Sequence, residues 1–148
     1  MVVLNIEGMD PSARSESRWK ISSLRDLVLQ KSEHNFFIPF ISITETWLKP
    51  YIHDAHVSIQ DYNIFRSDRR VRTRGGALLY IHQSIPVINS DTYDDCVCEA
   101  VICTSARKNI IASIYRPPKA STQSFCDTID SIEAFINKEC QVTLSTTR

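Results

Sequence analysis

The sequence predicts a layered α/β fold of the α+β type, and three observations carry that expectation. Short apolar, β-branched runs recur along most of the chain. Two other stretches repeat apolar residues at three- and four-residue steps, the period of a helix with one buried face. The two kinds interleave in the order strand, helix, strand, hairpin, hairpin, helix, strand, which suits sheet layers carrying helices and not a helical bundle.

Val2-Val3-Leu4-Asn5 is β-branched, ends on a polar residue and is soon followed by Gly8, so it reads as the first strand. Met9-Asp10-Pro11-Ser12 has loop chemistry, with Pro11 interrupting whatever precedes it. From Ser15 to Lys31 the residues Ile21, Leu24, Leu27 and Val28 form one apolar stripe, so an amphipathic helix is expected there, broken at Asn35. Phe36 to Thr44 is almost continuously apolar, as in a strand covered on both faces, and ends on Thr44-Glu45-Thr46. Residues 50 to 61 read as irregular. Tyr62 to Phe65 and Ala77 to Ile81 are expected to pair as a hairpin across a long basic connection. Val97 to Thr104 and Asn109 to Tyr115 form a second hairpin about the turn Ser105-Ala106-Arg107-Lys108, and Pro117-Pro118 forbids its continuation. Phe125, Ile129, Ile132 and Ile136 mark a second amphipathic helix. Gln141-Val142-Thr143-Leu144 is expected to begin one more strand.

A chain of 148 residues is one domain at most, spanning 1–148. Its 43% hydrophobic and 23% charged content is that of a globular chain and not of a disordered one. Lys and Arg together number 17, as do Asp and Glu, so any attraction to nucleic acid must be local. No apolar run is long enough to span a membrane, and the first residues lack the form of a signal peptide. The five cysteines are expected to be free thiols in an intracellular chain. Cys96-Val97-Cys98 is not a usual zinc spacing. The four histidines are scattered, and His53-Asp54-Ala55-His56 lacks the helical setting of a metal-binding pair.

Four segments stand in a telling order: Val3-Leu4-Asn5-Ile6-Glu7-Gly8; Ile41-Ser42-Ile43-Thr44-Glu45-Thr46-Trp47-Leu48; Arg66-Ser67-Asp68-Arg69 with Gly75-Gly76-Ala77-Leu78-Leu79-Tyr80; and Ile114-Tyr115-Arg116-Pro117-Pro118. Together they resemble the endonuclease domain of non-LTR (LINE-type) retrotransposons, within the endonuclease/exonuclease/phosphatase superfamily. The resemblance runs to about Leu144. It implies the N-terminal part of a four-layer β-sandwich flanked by helices. It also implies a Mg²⁺- (or Mn²⁺-) dependent endonuclease that nicks DNA for target-primed insertion, with DNA as partner and the nucleus as location.

At matching positions the resemblance makes Glu45 the metal-binding glutamate, Asn5 the active-site asparagine and Tyr115 the tyrosine facing the phosphate. The residue types suit the chemistry. A hard divalent cation prefers carboxylate oxygen and keeps several waters, and it can polarise a phosphate and stabilise a leaving oxygen. An amide orients a carboxylate or a phosphate oxygen without adding charge. Each residue also has a plainer reading: Glu45 as a solvated strand end, Asn5 as a strand terminator, Tyr115 as a half-buried aromatic whose hydroxyl finds any partner. Arg66, Arg69, Arg70, Arg72 and Arg74 fall within nine residues with Asp68 as the only acid. They read either as a loop on DNA phosphates or as a solvated hairpin tip. Trp47 is expected to pack near the site and not to stack on DNA.

The pattern departs from the family's toward its end. The family continues into a strand ending Gly-Asp-Phe-Asn and, much later, a Ser-Asp-His segment whose Asp–His pair activates the nucleophile. Here the strand expected at Gln141 to Leu144 runs into Ser145-Thr146-Thr147-Arg148. The expectation is therefore a chain cut short and catalytically inactive, supplying mostly one sheet whose inner face lacks part of its partner and leaves an apolar patch exposed. The alternatives are a non-catalytic DNA-binding fragment and a translated remnant of a retroelement without function.

Overall fold

In the computed structural model the first two strands, β1 (Val2–Asn5) and β2 (Phe40–Thr44), lie side by side and parallel, so that Asn5 stands opposite Thr44. The structure describes residues 1–10, 15–70, 74–94 and 98–145, without the side chains of 15–18 and 139–145. A parallel pair needs a crossover, and α1 (Ser15–Glu33) supplies it. The helix stops where Asn35 takes a left-handed φ of 56° and the Phe36 amide returns to the Lys31 carbonyl, a left-handed helix-ending turn. β2 is consequently shorter than the apolar run from Phe36 suggests. Pro39 has no amide to donate, and Phe36 and Phe37 project into solvent, 60% and 57% exposed.

β3 (Tyr62–Ser67) and β4 (Ala77–His82) form the expected hairpin, and β4 inserts between β3 and β2, giving the strand order β1-β2-β4-β3. A second, antiparallel sheet runs β5-β6-β7, with β5 at Val87–Asp94, β6 at Glu99–Ser105 and β7 at Ile110–Tyr115. β5 has no counterpart in the sequence reading. It is an edge strand of mostly polar residues, Asn89-Ser90-Asp91-Thr92, and solvent-facing edges give no apolar alternation to read.

The two sheets face each other. Leu79 and Ile81 of the first meet Val101, Cys103 and Ile111 of the second in one buried cluster, and the Ser42 hydroxyl donates across the gap to Ser113 Oγ at 2.8 Å. The expected exposed apolar patch is thus corrected for β4: its inner face is covered, because β6 and β7 lay Val101, Cys103 and Ile111 over Leu79 and Ile81. Ile21 and Leu24 of α1 join Ile41, Ile43, Leu78 and Tyr80 on the outer face of the first sheet. α2 (Thr122–Ser145) lays Ile132 and Phe135 against Ala100 and Ile102 on the outer face of the second. The layers run helix, sheet, sheet, helix, a mixed α+β architecture.

Within the helices most of the expected stripes are covered, Ile21, Leu24 and Ile132 being buried and Val28 and Ile136 partly so, while Leu27 and Ile129 lie at the exposed margin and Thr128 and Phe135 are buried beside them. A larger correction concerns Gln141–Leu144. These residues continue α2, which ends at Ser145, in place of the expected strand. No Gly or Pro separates them from Ile136, and two β-branched residues do not outweigh a propagating helix. The family's strand ending in Asp-x-Asn therefore has no counterpart at 141–144.

Candidate active site

The loops that follow β1 and β2 emerge at the same edge of the first sheet, since parallel neighbours end together. The Gly8 amide donates to the Glu45 carbonyl at 2.7 Å, Met9 to Thr46 at 2.7 Å, and Trp47 to Gly75 at 2.8 Å. The loops after β1 and β2 and before β4 are thereby knitted into one floor. This floor is conformationally strained. Glu7, Glu45 and Trp47 hold φ of 44°, 56° and 56°, and Gly8 and Gly75 hold 98° and 112°. Left-handed backbone at non-glycine residues is disfavoured and gathers at functional sites. At Gly8 a side chain is excluded by contact as well as by φ, because a Cβ would fall on the Trp47 indole. Lys20 of α1 reaches the same loop, its Nζ donating to the carbonyls of Ile6 at 2.6 Å and Glu7 at 2.9 Å.

Onto this floor the structure brings Glu45 and Tyr115 together. The Tyr115 hydroxyl, at the end of β7, donates to Glu45 Oε1 at 3.1 Å across the gap between the two sheets. Asn5 is exposed at the end of β1, in register with the residue preceding Glu45. The three residues picked out by the sequence thus occupy one edge, two of them in contact. Burial pushes the Tyr115 phenol up to about 12, helped by its bond to Glu45 and that carboxylate's charge and opposed by the Arg69 guanidinium. Tyr115 is therefore a proton donor throughout the neutral range.

That shift has a consequence for stability. A phenol whose folded pKa lies above its unfolded value near 10 contributes stability that is complete below pH 10 and is lost as pH rises toward 12. Burial raises Tyr80 and Tyr62 in the same direction. Urea midpoints measured against pH are expected to fall from pH 10 to 12, and Tyr115→Phe is expected to fall less steeply over that interval. Equal slopes would show the Tyr115 environment to be ordinary.

The arginines divide. Arg66 lies in β3 and not in the connection; its guanidinium pairs with Asp54 at 2.9 Å and Asp68 at 3.1 Å. Arg69 is 4% exposed and ion-paired to the fully buried Glu99. Both are engaged with internal partners, so these two are neither cations of a DNA-facing loop nor a solvated hairpin tip, the two readings the sequence left open. Arg70 and Arg74 are exposed, and the Arg74 guanidinium stacks over Trp47 at 5.4 Å. Arg72 lies outside the described residues. Trp47 packs against Gly8 at the site, as expected, and its buried indole N–H finds no acceptor among the described residues.

Sequence reasoning missed Glu99. It opens an apolar strand, and nothing in its neighbours marks it except the cost of burying a carboxylate, which a sequence cannot show. Its second oxygen accepts the Gly76 amide at 3.2 Å. Burial lifts its carboxyl above the usual range, while Arg69 and the Gly76 amide hold it down.

Among the described residues no group of three or more His, Cys, Asp and Glu is placed to hold a metal. Cys103 and Cys126 are free thiols. A cavity of about 760 Å³ opens at the opposite end of the first sheet, beside Phe36, Phe37, Tyr62 and His82; none of the candidate site residues lines it. The hollow has left-handed residues of its own, Asn35 and Asp61, but these are types that tolerate that backbone, whereas the left-handed Glu45 and Trp47 and the carboxylate–phenol contact lie at the Glu45 edge. No helix of the described residues is long and apolar enough to cross a membrane. No protein-family model matches the chain, and no curated protein matches it.

Proposed function

We propose that residues 1–148 form one wall of the active site of a divalent-metal-dependent DNA endonuclease of the endonuclease/exonuclease/phosphatase kind, of the type that nicks chromosomal DNA in the nucleus for insertion of a LINE-type element. The observation that carries this reading is the Tyr115–Glu45 contact, made between residues of different sheets over a strained backbone floor. The helix–sheet–sheet–helix layering supports the finer expectation of that superfamily's sandwich.

The donor set suits Mg²⁺ or Mn²⁺ in kind, since Glu45 and Asn5 offer hard oxygen, but it is small. One carboxylate beside an amide leaves most positions to water, so binding is weak. When bound, the cation supplies charge neutralisation at the phosphate and the leaving oxygen. Glu45 would hold it, Asn5 would orient a carboxylate or phosphate oxygen, and the Tyr115 hydroxyl, protonated at neutral pH, would turn its proton from Glu45 to the phosphate. Arg70 and Arg74 are the exposed cations that reach DNA backbone. These residues include no Gly-Asp-Phe-Asn segment and no Ser-Asp-His segment. Lack of a general base alone costs about 10²- to 10⁴-fold in rate, so the 148-residue chain by itself is expected to nick plasmid DNA no faster in Mg²⁺ than in EDTA.

Paramagnetic broadening by Mn²⁺ tests the reading without requiring turnover. The backbone amides of Asn5, Gly8, Glu45 and Thr46 are expected to broaden selectively at millimolar Mn²⁺, and Glu45→Gln is expected to abolish it. Broadening elsewhere only, or broadening that survives Glu45→Gln, overturns the assignment. Nicking above the EDTA control that Glu45→Ala removes would overturn the expected inactivity.

A further inference from the structure

The Arg69–Glu99 pair sits behind the site and not in it. Glu99 is the first residue of β6 and the register partner of Tyr115 in β7. Arg69 comes from the connection between β3 and β4, and its guanidinium lies 5.7 Å over the Tyr115 ring. Both side chains are almost wholly removed from water, Glu99 at 0% and Arg69 at 4% exposure. The backbone closes around them. Gly76 donates to Glu99, the Lys49 ammonium donates to the Arg69 carbonyl at 3.2 Å, and a Cβ at Gly75 would meet the Arg69 guanidinium.

A buried ion pair is a poor way to gain stability, because desolvation offsets most of the attraction. Its use lies in fixing one geometry. A guanidinium is flat and its fork is preorganised, and a cation within about 6 Å of a ring face attracts the ring's quadrupole. Tyr115 is therefore held between two restraints: the Arg69 face on its ring and the Glu45 oxygen on its hydroxyl. The first comes through Glu99 from the second sheet, the second from the first sheet.

We infer that Arg69 and Glu99 are positioning residues for the site: their buried pair clamps the Tyr115 ring so that its hydroxyl addresses Glu45 and whatever phosphate oxygen lies beside it. The role of the hydroxyl rests on the endonuclease reading; the clamp itself does not. Removing the clamp leaves Glu45 and Tyr115 in place but frees the ring to leave the carboxylate.

Fluorotyrosine labelling of the whole chain reads this directly, since its five tyrosines give five ¹⁹F resonances, and loss of one in Tyr115→Phe assigns it. Arg69→Met combined with Glu99→Gln removes both charges and keeps similar volume. In that variant the Tyr115 resonance is expected to move to the position of a solvent-exposed fluorotyrosine while the other four stay put. Arg69→Lys keeps the charge opposite Glu99 but loses the flat face, and is expected to give an intermediate Tyr115 shift. A Tyr115 resonance unmoved in either folded variant overturns the clamp. So does a shift shared by all five resonances, which would mark a merely structural pair. The measurement uses neither DNA nor metal, so a failed clamp and a failed endonuclease reading are told apart: the second shows as absent Mn²⁺ broadening at Glu45 with the clamp intact.

Discussion

Arg69→Met alone is expected to lower stability by about 3–5 kcal/mol, the cost of leaving one partner of a buried ion pair behind. In a chain of this length that is a fall in Tm on the order of 10 °C. The cause is not lost packing, since Met fills much of the same space. It is Glu99, fully buried, stripped of its counterion with the Gly76 amide left, among the described residues, to favour its charge. The effect carries a pH signature. Burial already pushes the Glu99 carboxyl upward, and without Arg69 nothing of comparable strength opposes it. A carboxyl whose folded pKa is raised contributes stability present at low pH and lost as pH rises through that pKa. The variant is therefore expected to lie closer to the parent at pH 5 than at pH 8, and addition of Glu99→Gln is expected to restore most of the loss at pH 8. Urea denaturation at the two pH values measures both. A loss that is independent of pH and not repaired by Glu99→Gln would mean that Arg69 acts by packing.

Leu79→Ala is expected to cost about 2–5 kcal/mol, the range for truncating a buried leucine where the cavity cannot collapse. Leu79 is fully buried in the cluster with Ile81, Val101, Cys103 and Ile111, between the two sheets. Each sheet is held by its own hydrogen-bond ladder, so neither can sink into the gap. The magnitude reports on whether the second sheet covers the first: were that face open, the same substitution would cost less than about 1 kcal/mol, because little area would be returned to water. Cys103→Ala on the opposite face, combined with Leu79→Ala, is expected to be non-additive, since the two share one cavity.

Much of this fold was legible because the chemistry is local. The apolar run at Ile41-Ser42-Ile43 and the β-branched start at Val2 declare strands wherever they are placed. The steps from Ile21 to Val28 declare a helix. Elements whose character depends on a neighbour were not legible. β5 is polar and exposed along most of its length; it is a strand because β6 offers a ladder to pair with. Gln141–Leu144 looked like a strand because Val142 and Thr143 are β-branched, yet the residues extend a helix already begun. The apolar pair Phe36-Phe37 looked like part of a buried strand and is instead the exposed exit from α1.

The candidate site divides along the same line. By itself the sequence determined which residues end which strands, and so placed Asn5, Glu45 and Tyr115 at strand ends, with one carboxylate and two neutral polar groups whose chemistry suits a hard cation and a phosphate. Only the tertiary structure decided who meets whom. It set the Tyr115 hydroxyl on Glu45 across seventy positions of chain, took Arg66 and Arg69 away from solvent and brought in Glu99. The physical reason is that a residue's type fixes what it can bond, whereas its burial and partner are properties of the packed layers. An arginine in a basic run is a surface cation until a buried carboxylate thirty residues on is folded against it.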